Sequence, residues 1–192
     1  MSVEFKIKLR AISDITEEQF YQICRDNSDI KFERSAEGEI LIMSPTGGET
    51  GIRNFDIIGQ FWLWNNTYQL GYCFDSSTCF KLPNGANRSP DVAFIIKERW
   101  ESLSSKQREA FPPIAPDFVL ELMSPSDSLK DTQDKMQEYM NNGVKLGWSI
   151  NRKNRQVEIY RQSRDKQILD VPECLSGEGI LLGFTLNLKS IW

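Results

Sequence analysis

The chain is 192 residues long, a length at which one domain buries roughly 70% of the surface its unfolded chain exposes, and a single domain over residues 1–192 is expected. Its residues are 40% hydrophobic and 26% charged, which excludes the disordered and fibrous classes. The absence of histidine excludes Ser-His, Cys-His and imidazole-metal chemistry together, and 27 acids against 23 bases, a net charge of −4, exclude an affinity resting on bulk attraction to phosphate.

The opening MSVEFKIKLR alternates charged and apolar residues and lacks the unbroken apolar run of a signal peptide. The strongest apolar stretches, residues 92–96 and 118–122, are about five residues long against the ~18 a membrane helix needs, so no membrane segment is expected. Cys24, Cys73, Cys79 and Cys174 form no C-x-x-C pair, and reduced thiols in a cytoplasmic protein are expected. Thr16 followed by Glu17, Glu18, Phe20 and Ile23 predicts an N-capped helix ending near Asn27. Residues 39–43 read as a strand halted by Ser44-Pro45-Thr46-Gly47-Gly48, and a helix over 49–70 follows. Its Ile52, Phe55, Ile57, Ile58, Phe61, Trp62 and Trp64 cover more than one stripe, so this helix is expected to be largely buried.

Strands are expected at 72–75, 78–82 and 91–96, then a partly helical polar segment over 100–111. Pro112-Pro113-Ile114-Ala115-Pro116 delivers the chain into a strand at 117–122, apolar on both faces as a central strand is. The next helix takes Ser126 or Asp127 as its cap and ends before Gly143. Strands at 145–151 and 156–160 flank a turn, and 180–182 and 185–188 add edge strands. Strands interrupted by two major helices indicate a mixed α/β or α+β sheet.

Two carboxylates occupy unusual settings. Asp91 follows Pro90 and opens an apolar strand, while Glu121 lies inside Phe118-Val119-Leu120-Glu121-Leu122-Met123. A charge within an apolar strand is unfavourable by several kcal/mol unless it is paired or binds a metal. Neighbouring strands of the same facing would make the two acids a hard oxygen site of the kind Mg²⁺ or Mn²⁺ selects. Taken singly, each acid also fits a structural role, Asp91 at a strand end and Glu121 on a half-solvated face.

Pro90-Asp91, a later acid in an apolar strand, and a capped helix carrying Lys135 together resemble the PD-(D/E)-x-K restriction-endonuclease-like superfamily. Gly38-Glu39-Ile40 leading to Met43-Ser44-Pro45-Thr46-Gly47-Gly48, Ser89-Pro90-Asp91-Val92-Ala93, Pro116-Asp117-Phe118-Val119-Leu120-Glu121 before Ser124-Pro125-Ser126, Lys135 with Tyr139, and Gly143-Val144 before Trp148 are similar to the Uma-two family within it, over residues 30–162. The resemblance implies a restriction-endonuclease-like core, a mixed β-sheet flanked by helices, with an N-terminal helix and C-terminal edge strands added. It also implies a metal-dependent nuclease acting on nucleic acid, DNA in the first instance, with a homodimer as a common arrangement. Carried over by position, Asp91 and Glu121 are the metal-binding acids, joined by the carbonyl of Leu122. The lysine of the superfamily motif falls at Met123, which has no charge, and the family resemblance moves that role to Lys135 on the next helix. Glu39 matches an early acid that many members add. With Asp131 at i−4 and Tyr139 at i+4, Lys135 also fits an ordinary solvated helix surface, and Tyr139 fits a core or rim aromatic better than a catalytic phenol.

Gly47-Gly48 lacks the spacing of a nucleotide-binding loop and reads as a turn. Residues 145–166 carry a local excess of bases, the best phosphate-facing patch in an acidic chain, although a solvated hairpin explains it equally. The tryptophans on apolar elements read mostly as core. The alternative to an enzyme is a nuclease-fold module that binds nucleic acid or a protein partner without cutting.

Overall fold

A computed structural model describes residues 3–8 and 15–192. In chain order the elements are β1 (Val3–Ile7), α1 (Glu17–Asp26), β2 (Lys31–Arg34), β3 (Ile40–Met43), α2 (Gly48–Tyr68), β4 (Gly71–Asp75), β5 (Phe80–Lys81), β6 (Asn87–Arg88), β7 (Val92–Ile96), α3 (Lys97–Glu101), α4 (Ser105–Glu109), β8 (Phe118–Met123), α5 (Leu129–Asn141), β9 (Leu146–Asn151), β10 (Gln156–Arg161), β11 (Gln167–Asp170), β12 (Cys174–Ser176) and β13 (Thr185–Asn187). The expected α+β class holds.

The main sheet has six strands in the order β11-β10-β9-β8-β7-β4. Only β8 and β9 run parallel, and α5 makes the crossover between them, as a parallel pair requires. A five-stranded sheet, β1-β3-β2-β6-β5, stands beside it, and β12 pairs with β13 in a small hairpin.

Alternation along β8 explains the layering. Phe118, Leu120 and Leu122 meet Ile57, Phe61 and Trp64 of α2, together with Trp148 and Ile150 of β9. Each such side chain, fully buried, contributes roughly 1.5–3 kcal/mol. On the other face Val119 packs with Met136, Tyr139 and Met140 of α5. That contact is close: a Cβ on Gly147 would stand 2.6 Å from Met136 Cε. Gly143, at φ +98°, ends α5 in the left-handed region that glycine adopts without strain.

Several expectations need correction. The cap of α5 is Ser128, because the Asp127 carboxylate turns back to accept from the Ser124 amide at 2.6 Å. The segment 180–182 is not a strand, and the partner of β13 is β12. Strand β2, absent from the sequence reading, pairs with β3 across a turn that places Gly38 at φ +80°. Helix α2 is buried on one side only: Ile52, Phe55 and Trp62 are exposed, while Trp64 and Trp148 lie in the core. No helix of the described residues is long and apolar enough to cross a membrane.

Candidate active site

Glu121 and Asp91 meet through strand register. Val92 pairs with Leu120, so one further antiparallel step sets Asp91 across from Glu121 on the face towards α5. Asp91 is buried and its Oδ2 accepts from the backbone amide of Leu122 at 2.8 Å.

Helix periodicity supplies the next two groups. Lys135 and Tyr139 are four residues apart and so share one face of α5. Lys135 Nζ stands 2.8 Å from Glu121 Oε1, and the Tyr139 hydroxyl donates to the same oxygen at 3.0 Å. The expected alternative of a solvated Lys135 paired with Asp131 does not hold, since the lysine side chain is only 16% exposed and is held by two other carboxylates, Glu121 and Glu33.

The second carboxylate on Lys135 is Glu33, at 3.1 Å. Phe32 packs towards α1, so strand alternation turns Lys31 and Glu33 to the opposite face. Glu33 is fully enclosed, takes the Ser89 amide at 3.0 Å, and pairs with Arg88, whose Nε reaches Glu138 Oε2 at 2.5 Å. Two cations and a backbone donor therefore satisfy this acid.

The electrostatics of the two acids diverge. Burial pushes Glu33 up, but Lys135, Arg88 and Lys31 together pull harder and hold its carboxyl at about 2. Burial also pushes Glu121 up, and there Asp91 and Glu33 add repulsion, so it lies above the usual carboxylate range despite Lys135. Burial disfavours the charge on Lys135, yet Glu121 and Glu33 outweigh it and raise its pKa. Lys31 is lowered, by burial first, and feels Glu33, Lys135, Asp91 and Glu121.

Glu33, Arg88, Glu121 and Lys135 border a cavity of about 530 Å³ between β2, β3, the end of β8 and the start of α5, whereas Asp91, Lys31 and Tyr139 stand outside its lining. Its lining carries Glu33, Glu121, Asp127, Asp131, Asp134 and Glu138 against Lys6, Arg88 and Lys135. An acidic cleft attracts cations and repels phosphate. Among the described residues, no group of three or more Asp, Glu, His and Cys side chains is arranged to hold a metal ion. The donor set still fits one kind of ion: Mg²⁺ takes one or two carboxylates and fills its remaining positions with water and substrate oxygens. Asp91 Oδ2 and Glu121 Oε1 are fixed by donors, whereas their second oxygens accept no hydrogen bond among the described residues. Leu122, the third expected ligand, also lines the cavity.

Glu39 is elsewhere. It faces Lys6 and Lys8, at 3.4 and 3.6 Å, and takes no part in the Glu33–Lys135–Glu121 cluster. Sequence reasoning missed Glu33, Arg88 and Lys31, and gave Tyr139 only a packing role. The usable signal for Glu33 was the hairpin: folding 31–34 back on 40–43 across Gly38 sets Glu33 opposite Leu41, which lines the cavity. Of the seven bases in the stretch 145–166, four stand in internal pairs, Lys145 with Asp117, Arg152 with Glu49, Arg161 with Glu178 and Lys166 with Glu158.

A family model described as "Uma2: Putative restriction endonuclease" matches residues 17–189. No curated protein matches the chain. Among solved structures, the chain is similar to that of a putative nuclease belonging to DUF820 from Anabaena variabilis ATCC 29413, with a TM-score of 0.71 and 18% identity over 83% of this chain and 88% of that one. At this identity the likeness shows the fold, and it is the nuclease fold expected from the sequence.

Proposed function

Because the chain belongs to the Uma2 family, described as "Putative restriction endonuclease", we propose that it is a metal-dependent nuclease that hydrolyses phosphodiester bonds of DNA. The observation carrying this reading is the gathering of Glu121 and Lys135 at the edge of one cavity, with Asp91 buried close enough to Glu121 to repel it and bonded to the amide of the next residue, Leu122. Asp91, Glu121 and the carbonyl of Leu122 would hold Mg²⁺ or Mn²⁺. When bound, such an ion polarises a phosphodiester and lowers the pKa of a water.

The remaining work falls to the chain. Lys135 keeps its proton and places a fixed positive charge where negative charge grows on the phosphorus oxygens. Glu33, tied to Arg88 and the Ser89 amide, gives Lys135 a second anchor beside Glu121. Tyr139 fixes Glu121 Oε1 and so orients its second oxygen. The four free thiols suit a reducing cytoplasm, where we place this activity.

A second reading, a fold that binds without cutting, draws on Lys135 being engaged by two carboxylates and on the acidic cleft. Two measurements separate them. Supercoiled plasmid should be nicked with Mg²⁺ or Mn²⁺ and spared with chelator. Asp91→Asn, which keeps an acceptor for the Leu122 amide, and Glu121→Gln should each lower that rate at least ~100-fold. Cleavage that survives both substitutions, or a folded protein that takes up neither ion in calorimetry, would overturn the nuclease reading.

A further inference from the structure

The start of α2, a helix of 21 residues, carries donors that the chain itself does not use. Its N-cap is Gly47, which has no side chain with which to cap. The first bond of the helix runs from the Gly51 amide to the Gly47 carbonyl at 3.0 Å, and the amides of Gly48, Glu49 and Thr50 bond no group among the described residues. Thr50 is 3% exposed, and its hydroxyl has no hydrogen-bond partner among the described residues. The Thr46 hydroxyl is buried without a partner too. Both threonines line a cavity of about 270 Å³ that the helix start shares with Ser124-Pro125-Ser126. Buried polar groups are ordinarily satisfied within the chain or by a bound ion or water, so two unpaired hydroxyls beside three open amides point to an acceptor-rich ligand.

We propose that this cavity is a phosphate site, and that the phosphate belongs to the backbone of the DNA strand entering the neighbouring cleft, an assignment of source that rests on the nuclease reading above. The aligned dipole of a long helix favours an anion at its start, where amide hydrogens point outward. Three amides on one side and two hydroxyls on the other suit a tetrahedral anion with several acceptor oxygens. A Cβ on Gly47 or Gly48 would meet nothing within 4 Å, so a ligand can reach the bare backbone. The nearby acid is neutralised: Glu49 stands 3.0 Å from Arg53 and 3.9 Å from Arg152. Arg152 and Lys153 line the adjoining cavity on the far side of Ser124 and Pro125. Ser126 lines both this cavity and the acidic cleft, so one strand can touch both. The division of labour answers the charge problem. A cleft rich in carboxylates repels phosphate, and a chain of net charge −4 gives no bulk attraction, whereas neutral donors at a helix start hold a single phosphate at one place.

Amide ¹⁵N spectra of the whole chain test the site, titrated at fixed ionic strength with inorganic phosphate and, separately, with a short DNA duplex with Ca²⁺ in place of Mg²⁺. The Gly48, Glu49 and Thr50 signals should move together and saturate with either ligand, and the duplex should displace phosphate. Gly48→Pro removes one amide at a position where proline suits the helix, with Gly47 already extended at ψ 159° as a residue before proline must be. Thr50→Val removes the hydroxyl and keeps the shape. Each should weaken both ligands roughly 10-fold without lowering the melting temperature. Signals that stay still with both ligands, or affinities that neither variant changes, would overturn the phosphate site. Signals that move with inorganic phosphate and ignore the duplex would overturn the strand as its source. Metal-dependent nicking by a protein whose amides do not respond would sink this site and spare the nuclease reading. A response to duplex in a protein that never nicks would do the converse.

Discussion

Asp117 and Glu121 are buried carboxylates four residues apart at β8, and their surroundings differ in balance. Asp117 is completely enclosed and paired in charge on both oxygens: Arg99 NH1 at 2.9 Å and the Ile96 amide at 3.0 Å on one, Lys145 Nζ at 2.8 Å on the other, the Ile96 amide being the hydrogen bond among the three. Glu121 must share its single lysine with Glu33, is repelled by Asp91, and opens onto a cavity. A buried acid is therefore no signature of chemistry in itself. Asp117 is a clasp that ties β8 to the segments before and after it, whereas Glu121 retains capacity for another cation.

The largest expected effects test this contrast by exchange. Glu121→Gln keeps an acceptor for Tyr139 and Lys135 and removes a charge that burial and two neighbouring acids oppose. Its stability should change by less than about 1 kcal/mol, while metal-dependent cleavage falls at least ~100-fold. Asp117→Asn should do the reverse. It leaves two cations without their acid, but both are partly exposed and can turn to solvent, so the loss should be about 2–3 kcal/mol, or roughly 5–10 °C in melting temperature. Cleavage below the melt should remain within about twofold of wild type, since Asp117 touches nothing in the cavity. Thermal melts and plasmid nicking on the same two samples decide the matter. A stable, active Asp117→Asn together with an unfolded Glu121→Gln would invert the assignment.

Next in size is the response to pH around Lys135. Glu33 titrates at about 2 in the folded protein against 4.5 for the free side chain. Its contribution to stability, about 3 kcal/mol, is fully present above the free value and is lost as pH falls through 2. Glu121 has the opposite sign. Its raised folded pKa means that the contribution belongs to the protonated form and is lost as pH rises through that value. Lys135→Met removes the strongest attractive charge from both acids. The variant should be about 3 kcal/mol less stable than wild type at neutral pH. The gap should narrow at pH 4.5 and below, as the stranded carboxylates take up protons. Urea unfolding across the acid range measures it, and a gap that widens on acidification would show that Lys135 is not what holds Glu33 ionised.

What was legible in the sequence follows the range of the forces involved. The capping box of α1, with Thr16 and Gln19 bonded reciprocally, is written within four residues, and so is the apolar run of β8 with its single acid. Asp91 is marked by its place after Pro90 at the head of an apolar strand, whereas Lys135 is reached through a resemblance of ordered words and not through geometry. Glu33 was missed because Lys-Phe-Glu-Arg has one apolar residue and reads as surface; its partners lie 55 and 102 residues away, in Arg88 and Lys135. Glu39 illustrates the converse error, since a neighbouring acid in the same hairpin turns instead towards Lys6 and Lys8. The outer stripe of α2 was counted as core because an apolar pattern records that a face avoids water, without recording what covers it.

The smallest effect isolates orientation from charge. Tyr139 is fully enclosed, and burial, together with Glu121 and Glu33, pushes its hydroxyl well above the usual range, so it serves only as a donor. Tyr139→Phe preserves the ring contacts with Met136 and Met140 and removes one hydrogen bond from Glu121. Where Glu121 is ionised the loss should be about 1–2 kcal/mol. Where it is protonated the loss should shrink, because the neutral carboxyl needs the donor less. Its pKa should rise further, so any cleavage that requires an ionised Glu121 should show an acid limb displaced to higher pH, with the plateau rate nearly kept. An unmoved limb beside an unchanged melting temperature would return Tyr139 to a packing role and leave Lys135 alone in setting the direction of the Glu121 carboxylate.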